Sequence, residues 1–546
     1  MGYWQIALVF IAGCAHALSV AWPFDGFLTR GQPVWWLQLL AMIALASALN
    51  QAKTKRQGAG LGWLFACVMQ VATWWWLFVS LHTYGGLAAP LAVLAIVGLA
   101  AFLALYYAAA CAAFIALAPV NLAGRALLFA ALWLLAELMR VALFTGFPWG
   151  QGGYAQLDGP FIGLAKWVGV HGLTFGVALL GFAVAACLVK PKWRHTVVVS
   201  MGVLAAAAGS YALQSGLGET SVETSLYSQS HPKLLGSAPF TVTLLQGNIA
   251  QDEKFKPTGG LPDALRWYGA QLLAATSSLV ITPETALPVL PVQLPEGYLD
   301  KLVERFNPSN PSTTSPPSTA ALIGIPLGNS EAGYTNSVIA LKPGSDTANA
   351  STGTPYHYDK HHLVPFGEFV HPLFKWFLAL VNIPLSDFNR GAVSQPSFDW
   401  QGQRIAPNIC YEDLFGEELA ARFTDPAAAP TMMVNISNIG WFGNTIAIDQ
   451  HLNISRMRSI EFERPMIRAT NTGATVIIDH HGRVTHSLPR HTRGVLTGVV
   501  QGRSGNTPYA GWAARFGLWP WWGFIVTIIL VAARDRFNWA RSSFGR

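Results

Sequence analysis

The chain has 546 residues and a formal net charge of +7 at pH 7; 52% of its residues are hydrophobic, 12% are charged and 21 are tryptophan. This composition excludes an ordinary soluble enzyme and is typical of an integral membrane protein. The length allows a helical bundle and one large globular domain. The segment from Ser215 to Gly505, which holds most of the acidic and hydroxyl-bearing residues, predicts that domain.

Apolar runs of membrane-spanning length precede and follow the polar segment. A helix needs about 20 apolar residues to cross about 30 Å of hydrocarbon. The runs predict a membrane α-helical bundle of about eight spans, with seven spans in residues 1–215, a soluble domain in residues 216–508, and the eighth span and a tail in residues 509–546. The runs, of which the second is short, are Tyr3 to Ala21, Pro33 to Leu49, Leu61 to Leu81, Ala88 to Leu117, Ala126 to Phe144, Phe161 to Val189, Thr196 to Leu213 and Arg515 to Ala533.

The distribution of Lys and Arg predicts the orientation of the spans, because short cytoplasmic loops are enriched in these residues. With a cytoplasmic N-terminus, the outer short loops hold essentially Arg30 and Arg140. The inner loops and tail then hold Lys53, Lys55, Arg56, Arg125, Lys190, Lys192, Arg194, Arg534, Arg536, Arg541 and Arg546. This places the soluble domain on the outer face. The net positive charge is thus mostly a topology signal, and no basic patch for nucleic acid is predicted.

Two charged residues interrupt the fifth run. Glu137 and Arg140 lie three residues apart, so they share a helix face and can neutralise one another. A structural ion pair and a site for a polar head group both remain open. The glycine-proline-aromatic turn at residues 146–150 is typical of an interfacial loop.

Short β-rich runs alternate with helix-length segments in the polar part of the chain. Helix-length segments include Leu261 to Ser277 and Asp449 to Glu463. The predicted strands are Phe240 to Gln246, Ser278 to Thr282, Ala320 to Ile325, Ser337 to Leu341, Arg404 to Ile409, Thr431 to Ile436 and Ala474 to Asp479. Such alternation predicts an α/β layered domain with a buried sheet.

Three strand ends carry reactive side chains, namely Glu284, Lys360 and Cys410. Taken singly, a Glu or Lys at a strand end is more often a solvated residue than a catalyst. Cys410 is the only cysteine in this segment, so it has no internal disulfide partner and serves either as a nucleophile or as packing. The cysteines show no zinc or redox spacing, and nothing in the sequence indicates a metal or another cofactor.

Taken together, these strand ends and their neighbours point to a family. Glu, Lys and Cys in this order resemble the carbon-nitrogen hydrolase (nitrilase) superfamily, which uses such a triad in an αββα sandwich. More narrowly, the chain resembles the apolipoprotein N-acyltransferase family in the turn at residues 146–150 and in the motifs Gln246–Ile249, Pro283–Ala286, Lys360–Glu368, Cys410–Glu412 and Asn438–Gly443. Two positions depart from the family pattern: Ile439 replaces a common acid, which puts the geometry of its loop in question, and Phe255 replaces a common tryptophan.

The resemblance implies a multi-pass enzyme of the bacterial inner membrane whose catalytic domain lies on the periplasmic side. It implies transfer of a fatty acyl group from a phospholipid, with phosphatidylethanolamine as the expected donor, to the α-amine of the diacylglyceryl-cysteine at the N-terminus of an apolipoprotein. The expected partners are these two substrates and the lipid bilayer, and the expected state is a monomer.

A covalent thioester on Cys410 would divide this transfer into two steps. Glu284 is the expected general base, and partial desolvation would raise its pKa and improve it as a base near neutral pH. Lys360 and the backbone N–H of Tyr411 are the expected donors to the oxyanion. The resemblance further implies supporting roles for Glu368, which would orient Lys360, and for Glu412. A surface carboxylate is the alternative interpretation of both.

Aromatic residues predict where lipid enters. The segment from Leu363 to Phe388, which includes Phe366, either folds into the core or dips toward lipid, and the second interpretation is favoured, as a mobile lid for acyl chains. Trp441 and Phe442 line the same mouth or belong to the core.

Two other classes of protein remain as alternatives. A membrane-anchored amidase or nitrilase would use the same triad, but it would not need a bundle of many spans. A transporter with an outer domain would need charges along a pathway, and apart from Arg515 at the very start of the eighth run the predicted spans hold only Glu137, Arg140 and Lys166.

Overall fold

The computed structural model describes residues 2–189, 202, 209–210, 233–234, 239–308, 319–344, 356–370 and 387–544. The chain divides into two compact units. The first comprises Met1–Phe78, Ala88–Val222 and Phe516–Arg546, and the second comprises Val79–Leu87 and Glu223–Arg515. Most of the seventh apolar run, and residues 371–386 of the predicted lid, lie outside the described residues.

Helices form the described part of the first unit. Their bounds are Tyr3–Val20, Trp35–Gln51, Lys55–Trp74, Ala89–Leu117, Leu122–Ala142, Ala165–Val189 and Trp519–Phe544. Within the described residues, four helical segments are long and apolar enough to cross a membrane, and a fifth qualifies if the bent pair Pro508–Phe516 and Trp519–Asn538 is one span. The second predicted run forms a helix of only 17 residues. The number of eight spans therefore stays a prediction.

The third predicted run ends earlier than its hydrophobicity indicates. Its helix stops at Trp74, and a π-helical turn at Val79–Tyr84 belongs to the second unit instead. The helix itself packs closely on Ala89–Leu117 because it carries glycine at the contact. A Cβ on Gly62 would lie 2.7 Å from the carbonyl oxygen of Tyr107, so only a residue without a side chain permits this approach.

Glu137 and Arg140 are both buried, and both contact the turn that follows their helix. Glu137 Oε1 accepts a hydrogen bond from the N–H of Gly152 at 3.0 Å, and Arg140 Nη2 donates to the carbonyl of Trp149 at 3.1 Å. These contacts favour the structural interpretation of the two residues.

Two six-stranded sheets form the second unit. The strands are β1 (Lys233–Leu234), β2 (Phe240–Gln246), β3 (Leu279–Ile281), β4 (Ala320–Asn329), β5 (Gly333–Leu341), β6 (His357–Asp359), β7 (Phe398–Trp400), β8 (Gln403–Ile409), β9 (Met432–Ser437), β10 (Met466–Thr470), β11 (Val476–Ile478), β12 (Val484–Ser487), β13 (Gly494–Val500) and β14 (Arg503–Ser504). One sheet has the order β13-β2-β3-β4-β5-β6 and the other β12-β11-β10-β9-β8-β7, while β1 pairs only with β14. Each large sheet has three adjacent parallel strands, β2-β3-β4 and β8-β9-β10.

The two large sheets pack face to face. One cluster of buried side chains draws on both, with Val242, Leu244 and Ile281 from the first sheet and Ile409, Val434 and Ile467 from the second. Helices Gly260–Ala274 and Tyr298–Phe306 pack on the outer face of the first sheet. On the outer face of the second sheet lie Gly416–Ala420, Ala447–Phe462 and Pro508–Phe516.

This layered arrangement confirms the predicted α/β class and agrees with the αββα sandwich that the family resemblance implied. The strand β10 escaped prediction because Arg468 stands in its middle, although this strand is buried throughout. Parallel strands place their carboxyl ends at one edge of a sheet, and side chains that follow them meet there.

Candidate active site

The three predicted reactive residues each follow a strand directly or within a short turn. Glu284 follows β3, Lys360 follows β6 and Cys410 follows β8. Lys360 Nζ lies 3.2 Å from Glu284 Oε1, and both side chains are buried. Two strand ends from the first sheet thus supply an ammonium and a carboxylate in direct contact.

The end of β9 connects the thiol to this ion pair. Ser437 Oγ donates to Cys410 Sγ at 3.3 Å. The N–H of the next residue, Asn438, donates to Glu284 Oε2 at 2.7 Å. Because two consecutive residues contact the sulfur and the carboxylate, Cys410 and Glu284 face the same small space.

A second carboxylate completes the contacts of Lys360. Glu368 Oε2 lies 2.8 Å from Lys360 Nζ and also accepts the N–H of Val364 at 2.9 Å. Asn336, on β5, donates from Nδ2 to both Glu284 Oε1 at 2.7 Å and Glu368 Oε1 at 2.8 Å. Glu368 is therefore a buried partner of Lys360, and the interpretation as a surface carboxylate is wrong.

Asn336 escaped the sequence analysis because its position on the site edge depends on the register of β5. A polar Asn directly before the apolar run Ser337–Leu341 was the available signal. The backbone joins the same contact, since the N–H of Lys360 donates to the carbonyl of Asn336 at 2.8 Å.

Lys254 is a second buried cation that the sequence analysis missed. Its Nζ donates to the carbonyl of Glu284 at 3.1 Å and to Thr285 Oγ1 at 2.6 Å. Thr285 has a φ of 46°, a strained value for a β-branched residue. Lys254 thus holds the turn that carries Glu284. Its neighbour Phe255, one of the two departures from the family pattern, is about half exposed.

The electrostatics of the site favour an ionised Glu284 and a protonated thiol. Burial alone would raise the pKa of Glu284, but Lys360, Asn336, Lys254 and the N–H of Asn438 outweigh it and lower the pKa below its ordinary value. The expectation of a raised pKa is therefore wrong. Burial first and the Glu284 carboxylate second raise the pKa of Cys410 to about 12.

The ammonium of Lys360 is held in its charged form. Burial would lower its pKa, but Glu284 and Glu368 together raise the pKa above the ordinary value. A neutral thiol, an ionised carboxylate and a fixed ammonium are the charge states that a general base and an oxyanion donor require.

Glu412 connects the segment of Lys360 to the segment of Cys410. Its Oε1 accepts the N–H of His361 at 2.6 Å, and its Oε2 accepts the N–H of Ile409 at 2.6 Å. The hydroxyl of Tyr358 donates to the same carboxylate at 2.8 Å. Glu412 is buried and makes these contacts to the residues next to Lys360 and Cys410, so the interpretation as a surface carboxylate is wrong here too.

Cys410 has a φ of 52°, in the left-handed region that non-glycine residues rarely adopt. Tyr411, which follows it, is buried and packs edge-on against Phe415 with 5.4 Å between ring centroids. Strain of this kind persists only where the surroundings fix it and is common at active sites.

The residues predicted to bind substrate are partly exposed. Trp441 and Phe442 lie in the short helix Ile439–Phe442, and Trp441 packs edge-on against Tyr84 at 5.6 Å between ring centroids. Phe366 has a φ of 61° and donates its N–H to the carbonyl of Phe369 at 2.7 Å. Ile439 is buried, and the residue before it, Asn438, contacts Glu284 through its backbone N–H. Within the described residues no cluster of His, Cys, Asp and Glu is arranged to hold a metal ion.

Comparison with known proteins gives the family. The model of the apolipoprotein N-acyltransferase N-terminal domain matches residues 12–183, and the carbon-nitrogen hydrolase model matches residues 241–509. An apolipoprotein N-acyltransferase of Verminephrobacter eiseniae is 53% identical over 94% of this chain and 94% of its own length. Another, from Ralstonia nicotianae, is 40% identical over 92% of this chain and 90% of its own.

Among solved structures, an amidase from Nesterenkonia sp. aligns with 51% of this chain and 94% of its own length at 15% identity, with a TM-score of 0.32. The matches to these two relatives cover residues of both units, and they do not favour the alternative of a membrane-anchored amidase. The chain therefore belongs to the apolipoprotein N-acyltransferase family.

Proposed function

We propose that this protein transfers a fatty acyl group from a phospholipid, through a thioester on Cys410, to the α-amine of the N-terminal diacylglyceryl-cysteine of an apolipoprotein. Family membership supports the overall reaction. The observation that carries the mechanism is the contact of Ser437 and Asn438 with Cys410 Sγ and Glu284 Oε2, because it joins the thiol to an ionised carboxylate.

In the first half-reaction the thiol attacks the ester carbonyl of the phospholipid. Glu284 takes the proton of Cys410 as the S–C bond forms, since a thiol with a pKa of about 12 is protonated at neutral pH. The carbonyl oxygen gains negative charge, which Lys360 Nζ and the N–H of Tyr411 stabilise. A donor in this role lowers the barrier by about 3–4 kcal/mol. The C–O bond then breaks, Glu284 returns the proton to the leaving oxygen, and the lysophospholipid departs.

In the second half-reaction the α-amine of the diacylglyceryl-cysteine attacks the thioester. Glu284 takes a proton from the amine nitrogen as the N–C bond forms, the same donors stabilise the oxyanion, and the C–S bond breaks. Glu284 then protonates the thiolate, which restores the free enzyme. An amide is more stable than a thioester, so this step runs forward.

Two residues support this chemistry without touching the carbonyl carbon. Glu368 holds Lys360 Nζ at 2.8 Å, and Glu412 fixes the backbone next to Lys360 and next to Cys410. Trp441, Phe442 and Phe366 are our candidates for contact with the acyl chains, because they are aromatic and only partly buried.

The finer topology also belongs to this proposal. About eight spans would anchor a nitrilase-like αββα domain on the periplasmic side of the inner membrane, with domain boundaries near residues 215 and 508. A monomer using phosphatidylethanolamine as donor is the simplest arrangement. Orientation can be tested with Val292→Cys, since Val292 is 88% exposed. A membrane-impermeant maleimide should label this variant in spheroplasts, and labelling only after lysis would place the domain in the cytoplasm.

The reaction is tested by incubating the purified protein in detergent with phosphatidylethanolamine labelled in its acyl chain. We expect label on the protein that hydroxylamine releases, because hydroxylamine cleaves thioesters. Addition of a diacylglyceryl peptide with a free N-terminal amine should move the label to the peptide in an amide that hydroxylamine does not cleave.

Two cysteine variants make this test specific. Cys410→Ala should abolish the label, whereas Cys67→Ala, which removes a partly buried cysteine of the helical unit, should retain it. Label that persists in Cys410→Ala would remove Cys410 from the mechanism. Release of free fatty acid with no transfer to the peptide would indicate a hydrolase.

A further inference from the structure

A second buried polar network contacts Cys410 at its backbone and is separate from the Glu284–Lys360 contacts. Its members are Asp413, which lies in the turn after Cys410, His451 and Ser455 on helix Ala447–Phe462, and Arg468 on β10. All four side chains are fully buried. Arg468 Nη1 lies 3.2 Å from Asp413 Oδ2, and Ser455 Oγ donates to the same carboxylate.

The contacts of His451 fix its tautomer. A guanidinium can only donate, and Arg468 Nη2 lies 2.6 Å from His451 Nδ1, so Nδ1 accepts. Burial first and the guanidinium of Arg468 second lower the pKa of His451, which keeps the ring neutral at neutral pH. The single ring proton therefore lies on Nε2. It points at Asp413 Oδ1 at 2.9 Å and at the carbonyl oxygen of Cys410 at 3.1 Å.

The carbonyl of Cys410 thus accepts two side-chain donors. The second is Asn435 Nδ2 on β9, at 3.2 Å. A trans peptide unit is planar, and its C=O and N–H point in opposite directions. Fixing the oxygen of Cys410 therefore fixes the direction of the N–H of Tyr411. The left-handed φ of 52° at Cys410 makes an external restraint on this peptide necessary, because the conformation is strained in isolation.

We propose that His451, set by Asp413 and Arg468, is a positioning residue that aims the N–H of Tyr411 at the oxyanion. The inference rests on the proposed acyl transfer and adds to it a residue from a helix far from the triad in sequence. His451 touches neither substrate nor the sulfur in this scheme. It acts through the peptide plane between Cys410 and Tyr411, so its loss should slow reactions that form an oxyanion and spare reactions of the sulfur that form none.

The experiment compares two reactions of Cys410 in the full-length protein in detergent. Acylation by labelled phosphatidylethanolamine passes through an oxyanion, whereas alkylation by iodoacetamide displaces iodide without one. His451→Phe removes the ring nitrogens with little change in shape. We expect acylation to slow by ~10²–10³-fold, the effect of losing one oxyanion donor, with the KM for phospholipid little changed and alkylation within about twofold of wild type.

Two further variants separate positioning from a general loss of structure. His451→Gln can place an amide N–H near the position of Nε2, and it should recover at least about tenfold of the lost acylation rate. Thr507→Val removes a buried hydrogen bond to the carbonyl of Glu461, on the same helix as His451 but outside the network. It should lower the melting temperature and leave the acylation rate within about twofold of wild type.

The outcomes decide the proposal. Equal slowing of acylation and alkylation in His451→Phe, or slowing by Thr507→Val as large as that by His451→Phe, would mean that the lost rate reflects a general loss of structure. If His451→Phe does not fold, the ratio of the two rates in His451→Leu decides, because leucine has no donor and an unchanged ratio would contradict the proposal.

Failure of the proposed function would look different. Wild type would then form no thioester with phospholipid, and the same variants would be compared with p-nitrophenyl butyrate, an ester that any acylating thiol can attack. A selective loss of that acylation in His451→Phe would uphold the role of His451 even with another natural substrate.

Discussion

Replacing Glu284 by glutamine separates its role as a base from its role in the fold. Glu284 Oε1 accepts from Lys360 Nζ at 3.2 Å and from Asn336 Nδ2 at 2.7 Å, and Oε2 accepts from the N–H of Asn438 at 2.7 Å. In Glu284→Gln the amide oxygen can keep the first two contacts, so the amide nitrogen faces the N–H of Asn438. The hydrogen bond from the N–H of Asn438 is therefore lost, and two N–H donors face each other in a buried place.

The expected loss in the free energy of unfolding follows from this geometry. An unmatched buried hydrogen-bonding group costs about 1–3 kcal/mol. The larger loss of about 3–5 kcal/mol that follows from leaving a buried charge without a partner does not apply, because Lys360 keeps Glu368 at 2.8 Å. The variant should therefore fold and remain suitable for kinetics.

The two reactions of the thiol should respond in opposite directions. Thioester formation with labelled phospholipid should slow by ~10²–10⁴-fold, the usual contribution of a general base. The thiol itself should ionise more easily, because burial and then the Glu284 carboxylate raise the pKa of Cys410 to about 12, and the variant removes the carboxylate. The midpoint of iodoacetamide alkylation against pH should therefore move to lower pH.

Single-turnover acylation, alkylation over a pH series and thermal unfolding measure these three effects. Glu331→Gln is the matched control, since Glu331 is exposed in the turn between β4 and β5, and it should change none of them. Acylation of Glu284→Gln at the wild-type rate would refute the role as base. A midpoint that moves to higher pH would refute the electrostatic argument.

Three further substitutions test the surroundings of the triad. Burial lowers the pKa of Lys254 from 10.5 to about 8. Between these two pH values the unfolded chain binds more protons than the folded chain, so the free energy of unfolding rises with pH, by about 3 kcal/mol across the interval. Thermal unfolding of Lys254→Met should lack this rise, and an equal rise in the variant would assign it to other groups. Ser437→Ala removes the hydrogen bond that lowers the pKa of Cys410, so its alkylation midpoint should move to higher pH, opposite to Glu284→Gln. Glu412→Gln places an amide nitrogen among the N–H groups of His361 and Ile409. It should lower the free energy of unfolding by about 1–3 kcal/mol and remove most of the acylation rate. An unchanged melting temperature in calorimetry would show that these contacts do not stabilise the fold.

Sequence patterns determined the features of this protein that depend on local order. Apolar runs and the polar segment predicted a helical unit and an α/β unit, and the seven predicted strands all coincide with observed strands. The motifs around Glu284, Lys360 and Cys410 also identified the family, because each motif is a run of neighbouring residues that the sequence displays directly. The strand β10 escaped prediction because Arg468 interrupts its hydrophobic pattern, which is the main local signal.

Only the tertiary structure decided which groups surround these residues and what their charges do. Asn336 and Lys360 both contact Glu284, from 52 and 76 residues away along the chain, and His451 reaches the carbonyl of Cys410 from a helix 41 residues away. A pKa is the sum of desolvation and of the fields of all neighbouring groups. Burial, which the sequence suggested, would raise the pKa of Glu284, whereas the two ammonium groups and two hydrogen-bond donors of the assembled site lower that pKa instead.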